Sequence, residues 1–222
     1  MFGIRTDHFG LAGPLTRVIS SSTSPEASNA QAEDSFGDIV HETVYGEDTG
    51  FSVEYAVGDD TLFDSTINIG QVLNGNQVES IQATRNNKDE LRVVVTGGPQ
   101  GDTAADIANF SIPWPTNYLA GGVGAKMAGL SAVTAGRVIS SSITAQANVI
   151  KGEDSFGNIV IKYMHGGRVE GTNEVQSSDT APAVTVDTVN GWAEAAGSGS
   201  TATENTGYEN ATFSVFQNII RD

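Results

Sequence analysis

Residues 17–40 and 137–160 carry nearly the same text in the same register. Each stretch begins Arg-Val-Ile-Ser-Ser-Ser (Arg17 to Ser22, Arg137 to Ser142), and each ends Glu-Asp-Ser-Phe-Gly-Asp/Asn-Ile-Val (Glu33 to Val40, Glu153 to Val160), with no gap between the two anchors. Such self-similarity constrains architecture before any other feature does. Two copies, where a stacked solenoid needs at least three, imply two like-folded units in tandem.

The echo continues downstream. Ile67 to Gly75 is answered by Val184 to Gly191, one residue shorter before its Asn-Gly, and Asn86 to Val94 and Asn205 to Val215 each run from a polar turn into an apolar strand. The anchors divide the chain into a first unit over residues 1–98, a Gly/Pro-rich connecting segment over 99–129 and a second unit over 130–222. Each unit has the size of a small domain. Half-size units bury less of their own surface than one domain of 222 residues would, so contacts between units or between chains are expected to complete the cores.

Both copies read as β. Arg17 to Ser22 and Ile39 to Tyr45 are rich in Val, Ile, Ser, Thr and Tyr, and Asp34-Ser35-Phe36-Gly37 between them places Asp first and Gly last in a type I turn. A hairpin with a G1 bulge at Gly37 follows, and Asp154-Ser155-Phe156-Gly157 predicts the same turn. Phe36 and Phe156 are costly as exposed turn aromatics, so they are expected to pack under the hairpin or into a neighbouring subunit. Asn74-Gly75 and Asn190-Gly191 each predict a second hairpin. Phe51 to Val57, Leu91 to Thr96 and Ala211 to Ile219 add further strands, whereas Thr103 to Asn109 and Gly124 to Val133 offer only short helical turns. The expected class is therefore all-β and mainly antiparallel: two tandem, similar small β-barrels or sandwiches with little helix.

Charge narrows the partners. The chain has 27 acidic against 11 basic residues and a formal charge of -16, which opposes binding of nucleic acid through its phosphates. It does not oppose passage of nucleic acid over a surface that must not grip it. There are no cysteines, so disulfides, thiolate metal sites and cysteine nucleophiles are excluded. Met1 to His8 has no apolar run, and no later stretch approaches the ~20 apolar residues of a membrane span.

Reactive constellations are not legible. His8, His41 and His165 lack zinc-binding spacing, and no Gly-x-Ser-x-Gly elbow occurs. Gly122-Val123-Gly124-Ala125-Lys126 fails the phosphate-loop test because its glycine spacing is short and Met127 stands where Ser or Thr is needed. The acidic runs at Gly46 to Gly50 and Gly58 to Asp64 lack the EF-hand ligand rhythm. No catalytic, cofactor-binding or metal residue is assigned, no cofactor is expected, and the chain is expected not to be an enzyme. Trp114, Trp192 and Tyr208 read as core or interface anchors before they read as a sugar-stacking platform.

A Ser-rich first strand, a hairpin turning at Asp-Ser-Phe-Gly-Asp/Asn before Ile-Val, an alternating Ile/Val strand into Asn-Gly and a closing strand after a polar loop resemble the small β-barrel subunits of bacteriophage tail tubes and their relatives in necks, hubs and contractile injection machines. That resemblance implies barrels joined edge to edge in rings that stack around a DNA channel. It also implies, for a fused duplication, three chains per pseudo-sixfold ring. The partners it implies are further copies of the chain and other virion proteins, with DNA passing without specific binding. The location is the virion, assembled in the host cytoplasm. The family's flanking helix and long stacking hairpin are not placed by the sequence. The alternatives are a capsid cement or fibre module and an extracellular carbohydrate-binding β module.

Overall fold

Alternation of apolar and polar residues, β-branched richness and near-absence of helical periodicity produce an antiparallel sheet almost throughout. The computed structural model describes residues 17–57, 68–73, 75–99, 127–155, 159–178, 181–195 and 208–219. The first half supplies β1 (Arg17–Glu33), β2 (Ile39–Val57), β3 (Val72–Leu73), β4 (Asn76–Asn86) and β5 (Leu91–Pro99). The second supplies β6 (Leu130–Ala135), β7 (Arg137–Glu153), β8 (Ile159–Ser177), β9 (Ala183–Val186), β10 (Ala193–Glu194) and β11 (Glu209–Ile219). Among the described residues no helix is long and apolar enough to cross a membrane.

The strands form one nine-stranded sheet in the order β1-β2-β5-β4-β7-β8-β11-β10, with β3 paired to β4, and a separate β6–β9 pair. The two repeats follow the same path: β1-β2-β5-β4 is matched by β7-β8-β11-β10. They do not close into two barrels. The outer edge of β4 is taken by β3 at Asn76 and Gln77 and by β7 from Ser80 to Asn86, so β4 has no edge left with which to close on β1.

Residue parity divides the faces. Reading straight across six strands, Tyr55, Val93, Ala83, Ile143, Gly171 and Val215 lie opposite one another and are all buried. The adjacent row on the other face is Glu54, Val94, Gln82, Thr144, Glu170 and Phe216, none of it buried. The buried face gathers Ile69, Leu73, Val78, Leu130 and Trp192 into one core that spans both repeats.

The repeats solve one packing problem in opposite ways. Phe51 faces Gly97 across β2 and β5, and the matching pair across β8 and β11 is Gly171 facing Val215. Bulk has moved from one strand to its neighbour while the shared space stays filled. A Cβ on Gly97 would meet the Phe51 ring at 2.7 Å and collide with the Gln77 carbonyl.

Several expectations are corrected. Ile39 to Tyr45 and Phe51 to Val57 are one strand, because the intervening acidic Gly46 to Gly50 stays extended opposite Ser24 to Ser28 of β1. Of Gly124 to Val133, expected as a short helical turn, Leu130 to Val133 belong to strand β6 because Ala183 to Val186 offers it a ladder, and residues 124–126 lie outside the described residues. Asn190-Gly191 is not a hairpin: the Asp187 carboxylate accepts from the Asn190 backbone N–H at 3.3 Å and folds Thr188–Asn190 into a 3-10 turn, which Gly191 ends at φ 84°. Its flanking strands, β9 and β10, belong to different sheets. At the first Asn-Gly, Gly75 has φ 78° and joins the paired β3 and β4, while Asn74 lies outside the described residues. Thr103 to Asn109, Trp114, Phe156 and Gly157 also lie outside them.

The Asp34 turn forms as its residues dictate. Asp34 Oδ1 accepts from the Phe36 and Asp38 N–H groups at 2.8 and 3.0 Å, the Gly37 N–H donates to the Asp34 carbonyl at 3.1 Å, and Gly37 sits at φ 86°. A Cβ at Gly37 meets nothing within 4 Å, so only its backbone conformation resists substitution. Gly37→Ala should therefore cost about 1 kcal/mol, and Gly97→Ala, which overpacks a backbone contact, about 2–4 kcal/mol. Denaturant unfolding of the two variants measures the difference, and equal losses would contradict the packing described.

Candidate assembly interface

The joint between the repeats is a backbone ladder. β4 and β7 pair antiparallel from Ser80 opposite Gln146 to Asn86 opposite Ser140. Each ladder bond contributes a net ~0.5–1.5 kcal/mol and removes an exposed strand edge. Ile81, Ala83, Ile143 and Ala145 on the core face of this joint are fully buried, so it is as dry as the interior of either repeat.

A charged contact adds to the ladder. The Lys162 ammonium, from the outer part of β8, pairs with the Glu79 carboxylate on β4 and donates to the Pro99 carbonyl at 3.0 Å. Its side chain is wholly buried, while Glu79 is 28% exposed. An ammonium taken out of water requires both partners, since losing either leaves charge uncompensated. The second repeat is thereby tied to the first at β4 and at the end of β5.

On the opposite face, hydroxyls and amides dominate and two arginines are paired with carboxylates. Arg92 meets Glu54 at 3.1 Å, Arg168 meets Glu170 at 3.1 Å, and the Arg168 guanidinium lies 4.3 Å from the Phe216 ring centre. Ser20 Oγ donates to Glu54 at 3.3 Å, and its counterpart Ser140 Oγ donates to Glu174 at 3.0 Å. The repeated Ser-rich segment thus makes one hydrogen bond twice. Thr144, Gln146, Asn148, Arg168 and Glu170 line a shallow polar depression on this face.

Both long hairpins outrun the sheet. β2 has β5 beside it only from Phe51 to Val57, and β8 has β11 beside it only from Gly167 to Ser177, so among the described residues their outer parts pair with β1 and β7 alone. Isolated two-stranded ribbons are marginal in water. These also expose apolar side chains: Phe36 is 90% exposed, and Ile39, Val40, Ile150 and Ile161 are each more than half exposed. Phe36 therefore does not pack under its own hairpin, because the turn directs it outward and among the described residues no strand lies beneath. Carboxylates of Glu33, Asp34, Asp38, Glu153 and Asp154 share the outer ends.

Of the residues singled out in the sequence, those among the described residues are not brought into a reactive cluster, and His8, Gly58 to Asp64 and Gly122 to Lys126 lie outside them. His41 and His165 are both exposed, and His165 stacks on Tyr163 with ring centres 6.0 Å apart. Among the described residues no three His, Cys, Asp or Glu side chains are grouped to hold a metal. Trp192 is 3% exposed and packs within the chain's own core, which withdraws it as a sugar platform and as an anchor between chains. Sequence reasoning missed Lys162 and Glu79, which are separated by 83 residues and lie in no motif. No protein-family model matches the chain, and no curated protein matches it.

Lys162→Met should lower stability by about 2 kcal/mol, because Glu79 and the Pro99 carbonyl lose their shared donor while Glu79 keeps some water. Amide exchange should quicken along β4 and β7 more than along β2 and β5. Uniform exchange across the sheet would refute a role for this contact in holding the repeats together.

Proposed function

We propose that this protein is a structural component of a tailed bacteriophage virion, a tail-tube or tube-like neck or hub subunit whose chains associate into a ring around a DNA channel. One observation carries the reading: the two repeats are joined head to tail, with the last strand of one path paired to the first strand of the next. A heterologous contact of this kind leaves unlike edges at the two ends of the chain, and repeating it between chains closes a ring when the rotation permits. Three chains then present six repeats.

Two further features support the reading. A sheet with one face committed to the core and the other polar suits a wall with a wet inner surface. Arg92 and Arg168 on that polar face are held by carboxylates, so they are poorly placed to capture phosphates. The protruding hairpins, with Phe36, Ile39 and Val40 exposed at the end of the first, suit contacts between stacked rings. Their length supports the reading because the tail-tube resemblance implies a long hairpin for ring stacking.

Native mass spectrometry and negative-stain imaging of concentrated protein should give closed rings of three chains with approximate sixfold symmetry. A protein that stays single at every concentration would overturn the proposal. Replacing Phe36, Ile39 and Val40 together by Ser should leave single rings intact and abolish their stacking, read as the loss of tube-like particles in the same images.

A further inference from the structure

We infer that the polar face of the sheet carries a binding site for a neutral oligosaccharide, in a trough that crosses the joint between the repeats. The depression bordered by Arg168 and Glu170 shares Gln146 and Asn148 with a second one that reaches Ser80 and Thr96. Together they cross four adjacent strands, β5, β4, β7 and β8. Thr96, Ser80, Gln146 and Arg168 stand directly opposite one another along this line, and Ser52 and Asn218 extend the row at its two ends. All six are polar. Successive positions in such a row are one strand spacing apart, about 4.8 Å, which is close to the repeat of a chain of sugar rings. Thr96, Ser80, Gln146 and Arg168 each have a paired residue on both sides, so they lie inside the sheet and meet a ligand through their side chains. An extended peptide, which binds a sheet through an unpaired strand edge, finds none along this row.

The lining selects the ligand. Side-chain amides and hydroxyls both donate and accept hydrogen bonds, as the hydroxyls of a sugar do. The charges along the trough are already held: Arg168 pairs with Glu170 at 3.1 Å and lies 4.3 Å from the Phe216 ring centre, and Glu79, in the second depression, is tied to the buried Lys162 ammonium. Groups fixed in advance lose little freedom when a ligand arrives. They also leave the trough ill suited to phosphates or uronates, which need uncommitted cations, in a chain of formal charge -16. Nor is the trough a by-product of the duplication. Thr144, Gln146, Asn148, Arg168 and Glu170 correspond, 120 residues earlier, to Ser24, Glu26, Ser28, Asp48 and Gly50, which include neither a side-chain amide nor a cation. Ser80 and Thr96 come from the first repeat, so neither repeat contains the site alone. The trough lies within one chain and stands whether or not chains form rings.

Isothermal titration of the full chain with a panel of neutral hexose and N-acetylhexosamine oligosaccharides, uronic acid oligomers and single-stranded DNA tests the site. At least one neutral oligosaccharide should bind, and more tightly than either acidic probe. Gln146 and Asn148 are exposed, so Gln146→Ala with Asn148→Ala should leave the denaturant midpoint unchanged. The same double variant should weaken binding of that oligosaccharide by at least about tenfold, since at least two hydrogen bonds are lost. Thr172→Ala, on the same face but beyond the trough, should bind as wild type does. Silence across the neutral panel, preference for an acidic probe, undiminished binding by the double variant, or equal weakening by Thr172→Ala would each overturn the inference. None of these outcomes bears on ring formation, which native mass spectrometry of the same proteins reads separately.

Discussion

An unpaired strand edge is the constraint on which this structure turns. A β-sheet cannot end without leaving a row of backbone donors and acceptors unmatched, and each repeat of this chain would by itself have two such edges. Pairing β4 with β7 removes one edge from each repeat at once and merges two small cores into one. The single sheet, the core row from Tyr55 to Val215 and the burial of Lys162 all follow from that pairing. It also sets the polarity of the chain, because like repeats joined head to tail keep unlike edges at their ends.

The shared core explains how the repeats could diverge without separating. Phe51 with Gly97 and Gly171 with Val215 fill equivalent spaces by exchanging the bulky member across the strand pair. The opposite face kept what was polar and local: the Ser-to-Glu hydrogen bond of the Ser20 segment recurs unchanged at Ser140. Apolar packing tolerates redistribution of volume, whereas a hydrogen bond between two named groups does not. The two halves therefore look most alike in sequence where polar geometry matters, and least alike beneath the sheet.

The hairpins set the other demand on the molecule. Among the described residues no third strand pairs with their outer parts, which carry Phe36 and Ile150 in the open and a concentration of carboxylates beside them. Carboxylates beside exposed apolar side chains oppose their indiscriminate association by like-charge repulsion.

Much of this was legible without coordinates, and the division is physical. The repeat, the all-β class and the Asp34 turn follow from interactions a few residues long: an Asp side chain reaching its own backbone, a Gly accepting positive φ, β-branched residues in alternation. Where the outcome depended on distant partners, local signals misled. Asn190-Gly191 carries the same dipeptide as Asn74-Gly75 but became a 3-10 turn between two sheets, because Asp187 captured it and β9 found its partner in β6. Lys162 gave no sign of its role, because burial and the approach of Glu79 and Pro99 exist only after the repeats have joined. The amino-acid sequence by itself determined that there are two like β units with shared turns; only the tertiary structure decided that they form one open sheet instead of two closed barrels. The choice between closing on oneself and pairing with a neighbour is made by which edge reaches which, and strand edges are backbone groups that every sequence shares.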